Sequence, residues 1–270
     1  MPTLHYHNHQ IHYEEYGQGA KLLLCLHGIA GRGKLFEKVA QPMWQDYKVV
    51  ALDLPFHGPT EWEGDIYTDE ELAGVVQVLL EQEGKTKFSI MAHSMGGRLV
   101  LGLLPHLVSQ IEELYLFSPG GFQYVFTGSR IWWPLGARQW VRKKFEQPEG
   151  FVNLLHKAEK LKLIDRHLYL MLLQQVDTPE RRARLLRSWA SLYFFPMRAT
   201  KEHKALLKQH QIPLHFFYGD KDNITPVHHA QKFIKDYPWA TLEVVAGNHF
   251  FVKEDLVQPF KEWYEGQKLE

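Results

Sequence analysis

The chain holds a single cysteine, Cys25, among its 270 residues, so an intramolecular disulfide is excluded, and this usage fits a reducing compartment. There is no surplus of one charge, since Lys+Arg and Asp+Glu both number 31. A general nucleic-acid binder would need a basic excess, so that class is disfavoured. No apolar run approaches the roughly 20 residues of a membrane helix. The opening MPTLHYHNHQIHYEEYG offers no apolar core for a secretory leader. Internal repeats and low-complexity tracts are also lacking. The expectation is a cytoplasmic protein without membrane or nucleic-acid partners. What is present, 45% hydrophobic and 23% charged residues, is ordinary for a globular chain with a large core.

Leu4 and Tyr6, then Ile11 and Tyr13, alternate with polar residues around Asn8-His9, which predicts a hairpin. Apolar runs KLLLCLHG, VVALDLP, KFSIMAHS and IEELYLFSP follow, with helical spacing over 33–41, 69–83 and 95–107 between them. From about 121 to 205 only helical patterns occur, broken at Pro134, Pro148, Pro179 and Pro196. The rhythm then resumes with IPLHFFYGD, a helix over 226–236, ATLEVVAG and a helix over 251–266. Strands alternating with helices predict an α/β fold with a mostly parallel central sheet. The N-terminal hairpin adds antiparallel strands. Residues 1–120 and 206–270 form the core, and 121–205 an inserted helical lid.

Ser94 stands in Ala92-His93-Ser94-Met95-Gly96, between a strand run and an apolar helix. A strained strand-turn-helix needs small residues two before and two after the serine. The hydroxyl then stands at a helix N-terminus, where free N–H groups and the dipole favour developing negative charge. The Met95 N–H is one candidate oxyanion donor. His27-Gly28-Ile29 ends an earlier strand, and the Ile29 N–H is the second. Asp220 and Asp222 follow one late strand, and His249 the last. The chain order Ser, Asp, His suits a nucleophile, an orienting acid and a general base at the C-terminal edge of a parallel sheet.

As a set, HGIAGRG, DLPFHGPTE, AHSMGGR, GDKDNITP and GNHFFVKE resemble successive signatures of the α/β-hydrolase superfamily, over roughly 20–120 and 210–265. The resemblance implies a triad of Ser94, Asp222 and His249, taking the second aspartate of GDKD as the acid, with DLPFHG a structural loop. It implies hydrolysis of an ester or related acyl compound through an acyl-enzyme, with no cofactor and no metal. Alternatives within the same likeness are C–C bond hydrolysis, an elimination, or a ligand-binding receptor that kept the triad.

His93 is expected to pack as a structural histidine, and Cys25 as a small buried hydrophobe. His5, His7 and His9 alternate as if on one strand face, but without accompanying acids they are expected to be solvated. Arg98 lies one helical turn beyond Ser94. Its Ser-x-Gly-Gly-Arg setting resembles the menaquinone-pathway SHCHC synthase, which implies a substrate carboxylate contact. The competing expectation is a stem packed on the sheet and a head paired with an acid. Trp132 and Trp133, among the aromatic residues of 121–205, are candidates to roof the site. That segment carries 16 Lys+Arg against 7 Asp+Glu, with clusters at Arg130, Arg138, Arg142, Lys143 and Lys144, and at Arg181, Arg182, Arg184 and Arg187. The cluster is either solvated surface or a steering field for an anionic small molecule or carrier-protein-bound substrate. The segment also resembles the lid of pimeloyl-carrier-protein methyl esterases.

Overall fold

A computed structural model of the chain describes residues 2–122, 148–162, 164 and 166–269. One eight-stranded sheet organises them: β1 (Thr3–Tyr6), β2 (His9–Tyr16), β3 (Lys21–Leu26), β4 (Tyr47–Leu52), β5 (Phe88–His93), β6 (Ile111–Phe117), β7 (Leu214–Gly219) and β8 (Ala240–Val245). Their order across the sheet is β1-β2-β4-β3-β5-β6-β7-β8. The β1–β2 and β2–β4 pairs are antiparallel and the others parallel. The predicted hairpin is present, with its turn one residue earlier than the sequence suggested: Tyr6 pairs with His9, leaving His7-Asn8 as the loop. His7 sits there at φ 51°, so His5, His7 and His9 do not share one strand face.

The central strands are apolar on both faces because helices cover both faces. Leu22, Leu24 and Leu26 of β3 point into one cluster, whereas Leu23 and Cys25 point into the other, which is the period of two expected of a strand. The first cluster is closed by α1 (Asp69–Gln82) and α2 (Met95–Leu107) through Val76, Leu79, Leu99 and Leu103. The second is closed by Phe36, Met43 and Phe260, the last on α8 (Val257–Gln267). Helix α1 begins with a capping box, in which Thr68 accepts from the Glu71 N–H at 3.1 Å while the Glu71 carboxylate accepts from the Thr68 N–H at 2.8 Å. The helix expected over 33–41 is two short 3-10 turns, Gly33–Phe36 and Gln41–Met43. Pro42 and the polar spacing do not sustain an α-helix there.

Between β6 and β7 the described residues form α3 (Pro148–Lys160), α4 (Arg166–Gln174), α5 (Pro179–Ser191) and α6 (Lys201–His210), and no strand. A small cluster of Leu155, Tyr169, Leu172, Val176 and Leu185 joins α3, α4 and α5, with Ile29 packed against it. The boundary drawn at 206 falls inside α6, which packs on α2. Among the described residues no helix is long and apolar enough to cross a membrane. Helix α7 (Val227–Ile234) completes the fold beside β7 and β8.

Candidate active site

Strand β5 ends at His93, and Ser94 follows at φ 51° and ψ −113° before α2 begins. A non-glycine residue with positive φ stores strain that its surroundings must hold in place. Two N–H groups hold this one, since Gly97 and Gly120 both donate to the Ser94 carbonyl, at 3.0 and 2.7 Å. Close approach sets the residue choice two positions on: a Cβ on Gly96 would stand 2.2 Å from the Leu26 carbonyl oxygen. The Met95 N–H, at the first position of α2, has no acceptor within its own helix.

His249 lies after β8 with its Nε2 2.7 Å from Ser94 Oγ and its Nδ1 2.8 Å from Asp222 Oδ2. All three sequence-selected residues therefore meet. Asp222 Oδ1 accepts the N–H groups of Ile224 and Thr225 at 2.9 and 2.8 Å, and Oδ2 accepts the Thr225 hydroxyl at 2.7 Å. Burial alone would raise the Asp222 carboxyl, but the His249 ring it bonds and the Thr225 N–H overcome that and bring it from 3.8 down to about 2. The neighbouring Asp220 is exposed and accepts the Gly247 N–H at 2.9 Å, a loop contact away from His249. His93 is buried, as expected, and donates from Nε2 to the His249 carbonyl at 3.0 Å. Burial drives its pKa from 6.5 down to about 3, so at neutral pH it is an uncharged strut beneath the catalytic candidate.

The loop bearing Ile29 lies against this site, since a Cβ on Gly28 would be 3.1 Å from Ser94 Cβ. The Gly31 N–H closes a turn onto the Gly28 carbonyl at 3.0 Å, with Ala30 at φ 55°. Three side chains latch this turn, His27 just after β3 and Asp53 and His57 in the loop after β4. His57 Nε2 accepts the Ala30 N–H at 3.2 Å while its Nδ1 donates to the Pro55 carbonyl at 3.0 Å. His27 Nε2 accepts the Leu54 N–H at 3.1 Å. Asp53 accepts the Gly33 N–H at 2.7 Å and bonds His12 at 2.9 Å and Arg32 at 3.2 Å. Burial lowers His57 to about 4 and holds His27 well below the ordinary histidine range. The DLPFHG stretch is thus structural, as the sequence suggested, but what it supports is the oxyanion-loop candidate.

Sequence reasoning missed Thr225 and the His57 latch. An Asp-x-x-Thr spacing is the signal for the first, because an aspartate commonly accepts the N–H groups two and three residues on. The second is a contact over 27 residues with no local signature.

Arg98 departs from both expectations. It is buried, and its guanidinium donates to the carbonyls of Leu192, Phe195 and Pro196 at 2.6, 3.0 and 3.2 Å. Neither an acid nor a substrate carboxylate is the partner: the residue ties α2 to the segment leaving α5, and burial lowers its pKa to about 10. A helix-surface arginine suggested a carboxylate partner, whereas a chain returning past α2 supplies three backbone carbonyls. Of the second basic cluster, Arg181 pairs with Asp177 at 2.7 Å, Arg187 with Asp65 at 3.1 Å, and buried Arg182 donates to the Val176 carbonyl at 2.8 Å. Trp132, Trp133 and the first basic cluster lie outside the described residues. Among the described residues no group of His, Cys, Asp or Glu could hold a metal ion. Cys25 is buried in β3, which pushes its thiol pKa up.

Residues 21–256 match the α/β-hydrolase fold family, and the chain belongs to it. The hydrolase YugF of Bacillus subtilis is 25% identical over 254 residues, spanning 91% of this chain and 89% of its own. An esterase of Thermogutta terrifontis superposes with a TM-score of 0.70 at 15% identity, covering 98% of this chain and 97% of the other. The meta-cleavage product hydrolase CumD of Pseudomonas fluorescens superposes with a TM-score of 0.68, also at 15% identity, covering 99% and 98%. At that identity the likeness speaks to the fold. The chain is a hydrolase by family.

Proposed function

We propose that the chain hydrolyses a carboxylic ester or related acyl compound through an acyl-enzyme on Ser94, with His249 as general base and acid and Asp222 as the orienting acid. The observation that carries this reading is the continuous line from Ser94 Oγ through His249 to Asp222, at 2.7 and 2.8 Å, on a serine held at φ 51°. In the first half-reaction Ser94 Oγ attacks the acyl carbon as its proton passes to His249 Nε2. The N–H groups of Ile29 and Met95 take up the tetrahedral oxyanion, each contributing about 3 kcal/mol in comparable sites. His249 then protonates the leaving alcohol. Water repeats the sequence on the acyl-serine, releasing the acid and restoring the serine. No cofactor or metal is needed. The substrate is a small acyl compound, met in the cytoplasm.

Within the insertion expected over 121–205, α3, α4 and α5 would act as a lid over this site. The α3–α5 cluster packs on Ile29, and Ser188 of α5 lies 3.9 Å from Met95 Sδ. Helix α6 then belongs to the body, which moves the lid boundary from 205 to about 200.

The test is covalent labelling. A fluorophosphonate should modify Ser94, found by peptide mass, and Ser94→Ala should abolish both labelling and turnover of short nitrophenyl esters. Labelling at another serine, or an alanine variant that retains most activity, overturns the assignment. Trapping of an acyl-serine in a quenched turnover separates this chemistry from C–C cleavage by direct hydration and from elimination.

A further inference from the structure

We propose that the substrate carries a second, anionic group, a carboxylate or phosphate, remote from the scissile ester and bound by Arg184. This rests on the Ser94 reading and names the substrate class for the same site. A cavity of about 640 Å³ opens between the body and α5, and Ala30 and Gly31 are among the residues that line it. These residues immediately follow Ile29, on the turn whose Gly28 lies against Ser94. The cavity thus adjoins the loop beside Ser94, and the proposal places the remote end of the substrate there.

Charge decides what that arm can be. Three arginines line the cavity, Arg32 from the body and Arg181 and Arg184 from α5, and no aspartate or glutamate lines it. Two of the three are already neutralised: Arg32 by Asp53 at 3.2 Å and Arg181 by Asp177 at 2.7 Å. Arg184 forms no ion pair within 4 Å among the described residues, although its charge acts on Glu180 one turn back. Its hydrogen bond there is one long contact, 3.4 Å, to the Gly58 carbonyl. The histidine in the wall, His57, is held near pKa 4 by its burial, so it adds no charge at neutral pH. A guanidinium with an open fork in a carboxylate-free cavity is matched by a carboxylate or phosphate, which it can bind through two parallel N–H bonds. Phe56 and Leu185 provide apolar wall for the methylenes between ester and anion. The neighbouring arginines of the same sequence run do other work, since Arg182 is buried and Arg187 is paired with Asp65. Of the arginines in this stretch, Arg184 is thus the one that lines the cavity without an ion pair among the described residues.

The test compares monomethyl adipate, its neutral half-amide and methyl 6-phosphonohexanoate as substrates. The anionic esters should exceed the half-amide in kcat/KM by about tenfold or more, chiefly through KM, and the two anionic arms tell carboxylate from phosphate. Arg184→Gln should collapse that ratio about tenfold, and Arg184→Lys should restore part of it. Calorimetry on the Ser94→Ala protein should show adipate binding that Arg184→Gln weakens by a similar factor. A wild-type ratio near one, a ratio that Arg184→Gln leaves unchanged, or no adipate binding to the Ser94→Ala protein overturns the proposal. Turnover surviving in Ser94→Ala would instead sink the underlying reading, and the two failures are therefore distinct.

Discussion

Two buried aspartates flank the strand that carries Ser94, each two strands away in the sheet: Asp53 after β4 and Asp222 after β7. Each bonds a buried histidine, Asp53 to His12 at 2.9 Å and Asp222 to His249 at 2.8 Å. Each also accepts backbone N–H on its other oxygen, one group for Asp53 and two for Asp222. As local chemistry the two couples are nearly the same. They differ at the far ring nitrogen. His249 Nε2 faces Ser94 Oγ, whereas His12 Nε2 is buried with no hydrogen-bond partner among the described residues. An Asp–His pair is therefore not in itself a mark of catalysis. What the second nitrogen touches decides whether the pair moves a proton or fixes a loop. Asp53 ties His12 of β2, Arg32 and Gly33 together behind the loop of Ile29, and on the proposed mechanism Asp222 aims a base.

The sharpest way to break this contrast is to neutralise each carboxylate in turn. Asp222→Asn should lower kcat by about four orders of magnitude while the protein stays folded, because the amide favours the wrong His249 tautomer and cannot stabilise its cation. Steady-state kinetics with circular dichroism checks this. A loss below tenfold would remove Asp222 from the chemistry. Asp53→Asn should show the opposite profile. Asp53 is buried and holds the Gly33 N–H, His12 and Arg32, and an amide there weakens these bonds at about 1–3 kcal/mol, so a denaturant melt should shift. Activity per folded molecule should fall far less than in Asp222→Asn. Equal kinetic losses in the two variants would erase the distinction.

The neutral histidines on the Asp53 side and beneath His249 give the contrast a pH signature. His57 falls from 6.5 in an unfolded chain to about 4 in the fold, and His93 to about 3. Between those values the unfolded chain binds the extra proton and the folded one does not, so stability rises with pH through the window from about 4 to 6.5. Asp222, depressed from 3.8 to about 2, contributes stability above its unfolded value that is lost as pH falls through about 2. Acidification should thus weaken the fold in two steps, histidines first. Between pH 6.5 and 5 a single such histidine accounts for about 1.5 kcal/mol. Melts of His57→Gln over that range should show a shallower slope than wild type by this amount. An unchanged slope would mean that His57 is not held neutral.

How much of this was legible beforehand follows from what is local. Strands β3 to β7 could be read because their runs are largely apolar, and the edge strand β8 from its Leu242 to Val245 run before a glycine, and Ser94, Asp222 and His249 because each follows a strand in the expected order. The spacing over 33–41 predicts a helix where 3-10 turns stand, because apolar residues at helical spacing also occur in tight turns packed on a sheet. Arg98 was misjudged for a different reason. Its partners are the carbonyls of residues 192–196, more than ninety positions away, and no spacing rule reports which carbonyls lack donors. The same holds for His57 and Ala30. Contacts that latch one loop to another are set by topology, and they become visible only once the sheet order is known.

The smallest expected effect tests the finest choice, that between Asp220 and Asp222. The two residues sit in one turn, GDKD, and either could have been the acid from sequence alone. Asp220 is exposed, and its one carboxylate bond is to the Gly247 N–H at 2.9 Å, an acceptor function that the carbonyl of an asparagine preserves. Gly247 lies two residues before His249 at φ 151°, within the loop that presents the histidine. Asp220→Asn should therefore lose only the charge-assisted part of one surface hydrogen bond, about 0.5 kcal/mol of stability. Its kcat/KM should stay within about twofold of wild type, because Asp222 and its Thr225 partner are untouched. Asp220→Ala removes the acceptor altogether and releases the Gly247 N–H to water. It should loosen the loop enough to raise amide exchange at residues 247–249 without approaching the loss in Asp222→Asn. A large kinetic defect in Asp220→Asn would move the orienting role two residues back and leave the 2.8 Å contact between His249 and Asp222 as a second structural pair, like that of His12 and Asp53.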